Sequence, residues 1–161
     1  MLKINTELKS YIAGFLDGDG CVMFQLIRRT DYRYGFQVKG SIVFYQKSNR
    51  KSYLEWLKTI LKSGYIRVRK DGMAEYNIVE LKSVMEILAL LEPYVVLKKQ
   101  HVKLAKNIQS LLSCEPKLEK LIEAAELVDR FGELNYSKRR TNTSLTLKAY
   151  LKEHNLYPRN D

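Results

Sequence analysis

Hydrophobic and polar positions change their period several times along the chain, and each change marks an element. Residues 6–16 carry apolar side chains at helical spacing, with Thr6 as candidate N-cap and Gly18 and Gly20 as terminators. Residues 21–29 then read as a strand, 30–35 as a hairpin loop and 36–46 as a second strand. That second strand alternates, with Phe36, Val38, Ile42 and Phe44 on one face and Gln37, Lys39, Ser41 and Tyr45 on the other. Helical spacing returns over 48–62 and is closed by Gly64. A second hairpin follows: 65–69 buries Ile66 and Val68, 70–72 turns, and 73–81 buries Ala74, Tyr76 and Ile78. Helices are predicted over 82–91, stopped by Pro93, and over 98–112, 116–133 and 145–154. The order is helix, hairpin, helix, hairpin, then helices, an α+β pattern with four strands in two antiparallel hairpins.

Nothing in the chain marks a linker or a low-complexity tract, so residues 1–161 read as a single domain whose C-terminal helical part covers about 116–161. Lys and Arg total 28 against 18 for Asp and Glu, a net charge of +10 that favours polyanionic partners, nucleic acid first. The apolar runs are far too short to span a bilayer, so no membrane partner is expected. Cys21 and Cys114 lack metal-site spacing and point to free thiols in a reducing compartment.

The unburied face of the two hairpins carries Gln25, Arg29, Gln37, Lys39, Ser41, Tyr65, Arg67, Arg69, Glu75 and Asn77, interrupted by Val43. Amides, hydroxyls and guanidinium groups are the types that pair with base edges in a major groove, which a two-stranded ribbon fits. The same pattern also describes the solvated face of any antiparallel sheet. The basic loop at 137–140 reads either as phosphate contact or as a solvated loop.

The stretch YIAGFLDGDG, residues 11–20, departs from helix chemistry. Carboxylates at a helix C-terminus oppose the dipole. Gly14 and Gly18, four apart and adjoined by Ala13, form a face that lets a second backbone approach. Asp19 lies just past it, where a divalent cation would compensate its charge. In isolation the stretch also reads as a glycine-terminated helix with a surface Asp.

Residues 12–20 resemble the LAGLIDADG signature of homing endonucleases, matching at Ala13–Gly14, at both acids and at Gly20. The element order is similar to that family's α-β-β-α-β-β-α core with its four-stranded antiparallel, saddle-shaped DNA-binding sheet. With one copy of the signature, the chain resembles the single-motif members of group I introns, which act as homodimers. The resemblance implies Asp19 and the Gly18 carbonyl as metal ligands, and Asp17 as the acid that orders the paired helices. It implies catalytic roles for Asp19, Gln46, Arg50 and Lys98, and a dimer interface at Ala13, Gly14, Asp17 and Gly18. Gln25, Arg29, Tyr32, Gln37, Lys39, Ser41, Tyr65, Arg67, Arg69, Glu75 and Asn77 fall on DNA-binding positions, and Lys138 and Arg140 on backbone contacts. Cys21, Ile27, Val43 and Gln100 depart from the residues usual at their places.

What the resemblance implies is double-strand cutting of a long pseudo-palindromic DNA by metal-dependent hydrolysis, promoting intron homing. Magnesium (Mg2+) is the expected cofactor, and calcium (Ca2+) is expected to bind without supporting cutting. The implied partners are double-stranded DNA and a second copy of the chain. The expected location is an organelle, chloroplast or mitochondrion, with a prokaryotic cytoplasm as the alternative. The rival reading is a non-cleaving nucleic-acid-binding relative, an RNA maturase or transcription regulator.

Overall fold

The computed structural model describes residues 3–113 and 117–157. Helix α1 (Thr6–Asp19) leads into strands β1 (Gly20–Arg28) and β2 (Phe36–Lys47). After a 3-10 turn, Ser48–Arg50, come α2 (Lys51–Leu61), β3 (Tyr65–Val68) and β4 (Met73–Ile78). Four helices close the chain: α3 (Leu81–Leu91), α4 (Lys99–Leu112), α5 (Leu118–Leu134) and α6 (Ser144–Glu153). The strands form one four-stranded sheet in the order β1-β2-β4-β3. The α+β expectation therefore holds. Among the described residues no helix is long and apolar enough to cross a membrane.

Backbone contacts divide the chain into two compact units, Met1–Met23 with Gly40–Val102, and Phe24–Lys39 with Lys103–Asp161. In the first, β2 and β4 pair antiparallel with Phe44 opposite Tyr76, and β3 sets Ile66 opposite Tyr76. Phe15 of α1 stacks on Phe44 at 5.5 Å, and Phe44 stacks on Tyr76 at 5.9 Å. Leu54, Leu57 and Leu61 of α2 and Val84, Ile87 and Leu88 of α3 are buried in the same unit. In the second unit Phe24 stacks on Phe131 of α5 at 5.0 Å, with Phe36, Val128, Leu147 and Leu151 also buried. Burying such side chains is the main term holding each unit together.

Several expectations are corrected. The N-cap of α1 is Asn5, whose side chain accepts from the Leu8 N–H at 2.9 Å, and the helix runs through Gly18 to Asp19. Glycine ends a helix through positive φ; Gly20 instead leaves the helix in extended conformation, φ −113°, straight into β1. The helix expected over 48–62 is divided by the 3-10 turn, and Lys62 (φ 56°) takes its left-handed cap. Gly64 (φ 84°) serves another purpose: a Cβ there would overlap the Asn77 carbonyl. The strand expected over 73–81 stops at Ile78. Val68, expected inside, is 53% exposed because it ends the edge strand β3. Ser41, expected on the open face, is 8% exposed, a short side chain on an interior strand overshadowed by longer neighbours. Val43, beside it in chain parity, is buried too.

Candidate active site

Two acids end α1, and they have different surroundings. The Asp17 carboxylate accepts from three successive backbone N–H groups, Val96 (2.6 Å) and Leu97 (3.1 Å) through Oδ2 and Lys98 (3.1 Å) through Oδ1. Those donors lie just before α4, whose first turn begins with Val102 N–H donating to Lys98 C=O at 3.0 Å. The negative charge that opposes the dipole of α1 thus sits at the positive end of α4, where it is stabilised. The Lys98 ammonium turns back and donates to the Asp17 carbonyl at 3.4 Å, covering one of the unpaired carbonyls of the last turn of α1.

Asp19 is exposed, and its nearest partner is the Gln46 amide, which donates to Oδ2 at 3.4 Å. Gln46 shares the parity of Ile42 and Phe44, so at the end of β2 it lies on the helix side of the sheet. That places an amide, two carboxylates and an ammonium around one helix end. Arg50 is exposed at the start of α2. Among the described residues no three His, Cys, Asp or Glu side chains come together to hold a metal ion. A cation bound at Asp19 needs further oxygen ligands from elsewhere.

The face beside this end is open. A Cβ added at Gly14 or Gly18 would meet nothing within 4 Å. Ala13, grouped with the glycines by its position in the signature, is fully buried and points inward. Tyr11, 53% exposed, continues the open stripe one turn earlier and meets Trp56 edge-on at 6.4 Å. Val96 and Leu97, tied to Asp17 through their N–H groups, are more than two-thirds exposed.

The polar sheet face is best described within each unit. In the first, Tyr65 stands opposite Asn77 and Arg67 opposite Glu75. Arg69 bridges Asp71 at 2.6 Å and Glu75 at 3.1 Å. In the second, Gln25 is exposed and Gln37 and Lys39 half-buried. Arg29 forms a two-pronged pair with Asp31, both contacts 3.1 Å, and lies over the Tyr32 ring at 5.4 Å. The hydrogen bond from Arg29 holds the Asp31 carboxyl below its ordinary range. Lys138 and Arg139 are exposed in the basic loop, whereas Arg140 turns inward and donates to the Val128 carbonyl at 3.0 Å.

The family model described as LAGLIDADG endonuclease matches residues 12–111. The chain belongs to the LAGLIDADG endonuclease family. Over 144 residues it is 35% identical to the DNA endonuclease I-CvuI of Chlorella vulgaris, a match covering 89% of each chain. Over 150 residues it is 33% identical to the DNA endonuclease I-CreI of Chlamydomonas reinhardtii, covering 92% of this chain and 91% of that one. A crystal structure of I-CvuI in complex with its target (Sro1.3) in 2 mM Ca superposes with a TM-score of 0.89 over 94% of this chain and 97% of that chain. A second, with the I-CreI target (C1221) in 2 mM Mg and the DNA not cleaved, gives 0.86 over 91% and 94%. Both structures are about one-third identical to this chain, at 33% and 34%.

Tyr45 and Arg139 fall within the polar face of β2 and the basic loop at 137–140 but were not among the individual DNA-contact positions expected. Tyr45 shares the parity of the polar face, and its phenol is pushed up by burial, with Cys21 and Glu75 adding to the effect. The alternation in β2 was the signal for it. Arg139 was hidden in a run of cations, where nothing distinguishes the exposed one from the anchored one.

Proposed function

We propose that this chain is a homing endonuclease that, as a homodimer, cuts both strands of a long pseudo-palindromic duplex by metal-dependent hydrolysis. The observation that carries this reading is Asp19. Its carboxylate stands exposed beside the Gln46 amide, at the end of a helix whose glycine face meets nothing. One protomer supplies one such carboxylate and the Gly18 carbonyl. A second copy packed glycine to glycine supplies the other pair, and the two-fold symmetry predicts a roughly palindromic target.

Hard oxygen donors fit Mg2+. When bound there, the cation supplies an activated water and neutralises the leaving oxygen. The chain's own groups do the rest. Gln46 holds Asp19 through its amide and would position the attacking water. The Lys98 ammonium, positioned by Asp17, stabilises negative charge as it develops on the phosphate. Arg50 binds the adjacent phosphate. Gln25, Arg29, Tyr32, Gln37 and Lys39 in one unit, and Tyr65, Arg67, Arg69, Glu75 and Asn77 in the other, face the bases, whereas Ser41 is buried and drops out of that set. Lys138 and Arg139 contact phosphates, while Arg140 positions their loop. Binding then weakens steeply with salt, with a log–log slope of about −0.9 per neutralised phosphate. Cys21 is in no disulfide, which fits a reducing compartment. The relatives' sources, Chlorella vulgaris and Chlamydomonas reinhardtii, support an organelle as its home.

The second reading is binding without cutting. A randomised duplex library incubated with the protein and Mg2+ decides. Recovery of one cut sequence supports the nuclease, and capture of duplexes with no cut product supports the binder. Asp19→Asn should abolish cutting while binding in Ca2+ survives. A variant that still cuts removes Asp19 from the chemistry.

A further inference from the structure

The hairpin loop between β1 and β2 shelters a cleft that adjoins the proposed DNA-contacting face, sharing Tyr32 and Gln37 with it, and that holds none of the proposed catalytic residues. It encloses about 340 Å3 in the second unit, between the 30–38 segment, the end of α4 and the start of α5. Its apolar lining includes Phe36, Leu112 and Leu121, and its rim carries Arg33, Lys117 and Lys120. Among the described residues no acidic side chain lines it. Lys120 has Glu123 at 3.8 Å, an exposed pair of the weak kind that leaves the ammonium available. Tyr34 also lines it, with the Arg33 guanidinium 5.3 Å above its ring. Gln37, from the polar sheet face, lines the same cleft.

We propose that this cleft holds one unpaired nucleotide of a strand flanking the bound duplex. The inference rests on the chain binding nucleic acid, and adds a site that double-helical DNA cannot fill. A base inside a duplex has both faces stacked, so an apolar cleft with an aromatic wall offers it nothing. An unpaired base has free faces, and stacking on aromatic and apolar surface suits any of the four. The three cations then meet the phosphates on either side of it. Ligand pockets run from about 300 to 1,000 Å3, so this cleft sits at the lower limit. It takes one nucleotide rather than a folded segment. An apolar anion without a phosphodiester chain would use only one of the three cations.

The test uses the full chain and a duplex that it captures from the randomised library in Ca2+, blunt or carrying a two-nucleotide unpaired extension on either strand. Fluorescence anisotropy should show the extended duplex bound about tenfold more tightly than the blunt one. A 2-aminopurine in the extension should lose fluorescence on binding as it stacks. Leu121→Trp fills the cleft and Lys120→Gln removes a rim charge. Each should erase the difference while binding of the blunt duplex stays as in the parent. An abasic extension should bind no better than a blunt end. Equal affinity of blunt and extended duplexes for the parent protein overturns the proposal, as does an abasic extension that binds like a base-bearing one. Absence of all duplex binding, blunt or extended, would instead sink the nucleic-acid reading of the whole chain.

Discussion

Two helix junctions in this molecule use the same device and end differently. At the end of α1, Asp17 gathers the N–H groups of Val96, Leu97 and Lys98 ahead of α4. In α5, Asp129 accepts from the Ser144 N–H through both carboxylate oxygens, at 3.1 and 3.2 Å, and from its hydroxyl at 2.6 Å, at the start of α6. The second junction is then closed. Thr143 and Thr146 form a reciprocal capping box, and Arg140 lies against Gly132 while bonding the Val128 carbonyl. The first is left open: Asp19, Gly14 and Gly18 stay exposed and two apolar side chains project beside them. The lesson is that a carboxylate at a helix start reads as structure when its neighbourhood is filled, and as part of a site when a second acid nearby is left without a cation.

The largest expected effect separates the two acids of α1. Asp19→Asn should lower cutting of a cognate duplex about ten-thousand-fold with the melting temperature unchanged, measured by single-turnover cleavage beside thermal unfolding. The open glycine face comes next. Gly14→Leu has room in one protomer and improves helix propensity, so the chain should fold. Overpacking of about 1–3 kcal/mol at each of two symmetric positions should weaken self-association by about thirtyfold or more, visible by sedimentation. Asp17→Ala removes three charge-assisted bonds and should lower stability by about 2–3 kcal/mol, with a melting point about 5–10 °C lower and slower cutting as Lys98 loses its hold. Asp129→Ala should cost about 1–2 kcal/mol and leave the cutting rate intact well below the transition. An effect on cutting as large as that of Asp17→Ala would erase the distinction between the junctions.

A control lies away from both. The Tyr76 hydroxyl donates to the Ser63 carbonyl at 2.5 Å, and burial pushes its phenol up from the ordinary 10 to about 12. Its raised value makes the contribution fully present below pH 10 and lost as the pH climbs through 12. Tyr76→Phe should therefore cost about 1 kcal/mol at neutral pH and flatten the alkaline decline in urea titrations.

Much of this was legible beforehand, because β2 and β4 alternate cleanly and the helices keep their apolar spacing. The acids at the end of α1 broke the helix rule, and the resemblance of residues 12–20 to the LAGLIDADG signature gave them their expected role. What sequence could not supply was depth and direction. Ser41 and Val43 share the parity of Gln37 and Lys39, yet position on an interior strand hides them. Ala13 directly precedes the open Gly14 but, like Ile12, faces the core side of a helix that turns 100° per residue. Arg140 and Arg139 are the same residue type one place apart, and only the small space above Gly132 decides which one is drawn inward. The partner of Asp17, some eighty residues distant, is a tertiary fact that no local pattern encodes.

Within the second unit, one contact holds the tip of the first hairpin. Gly35 (φ 74°) lies so close under the Tyr150 ring that a side chain there would collide with it, and Tyr150 also meets Phe36 edge-on at 5.6 Å. The last helix is therefore a buttress for the tip of the first hairpin. Trimming the chain ahead of α6 would leave Asp17, Asp19 and Gln46 their own surroundings, but let that tip swing. Such an enzyme would still hydrolyse, with a blurred choice of sequence.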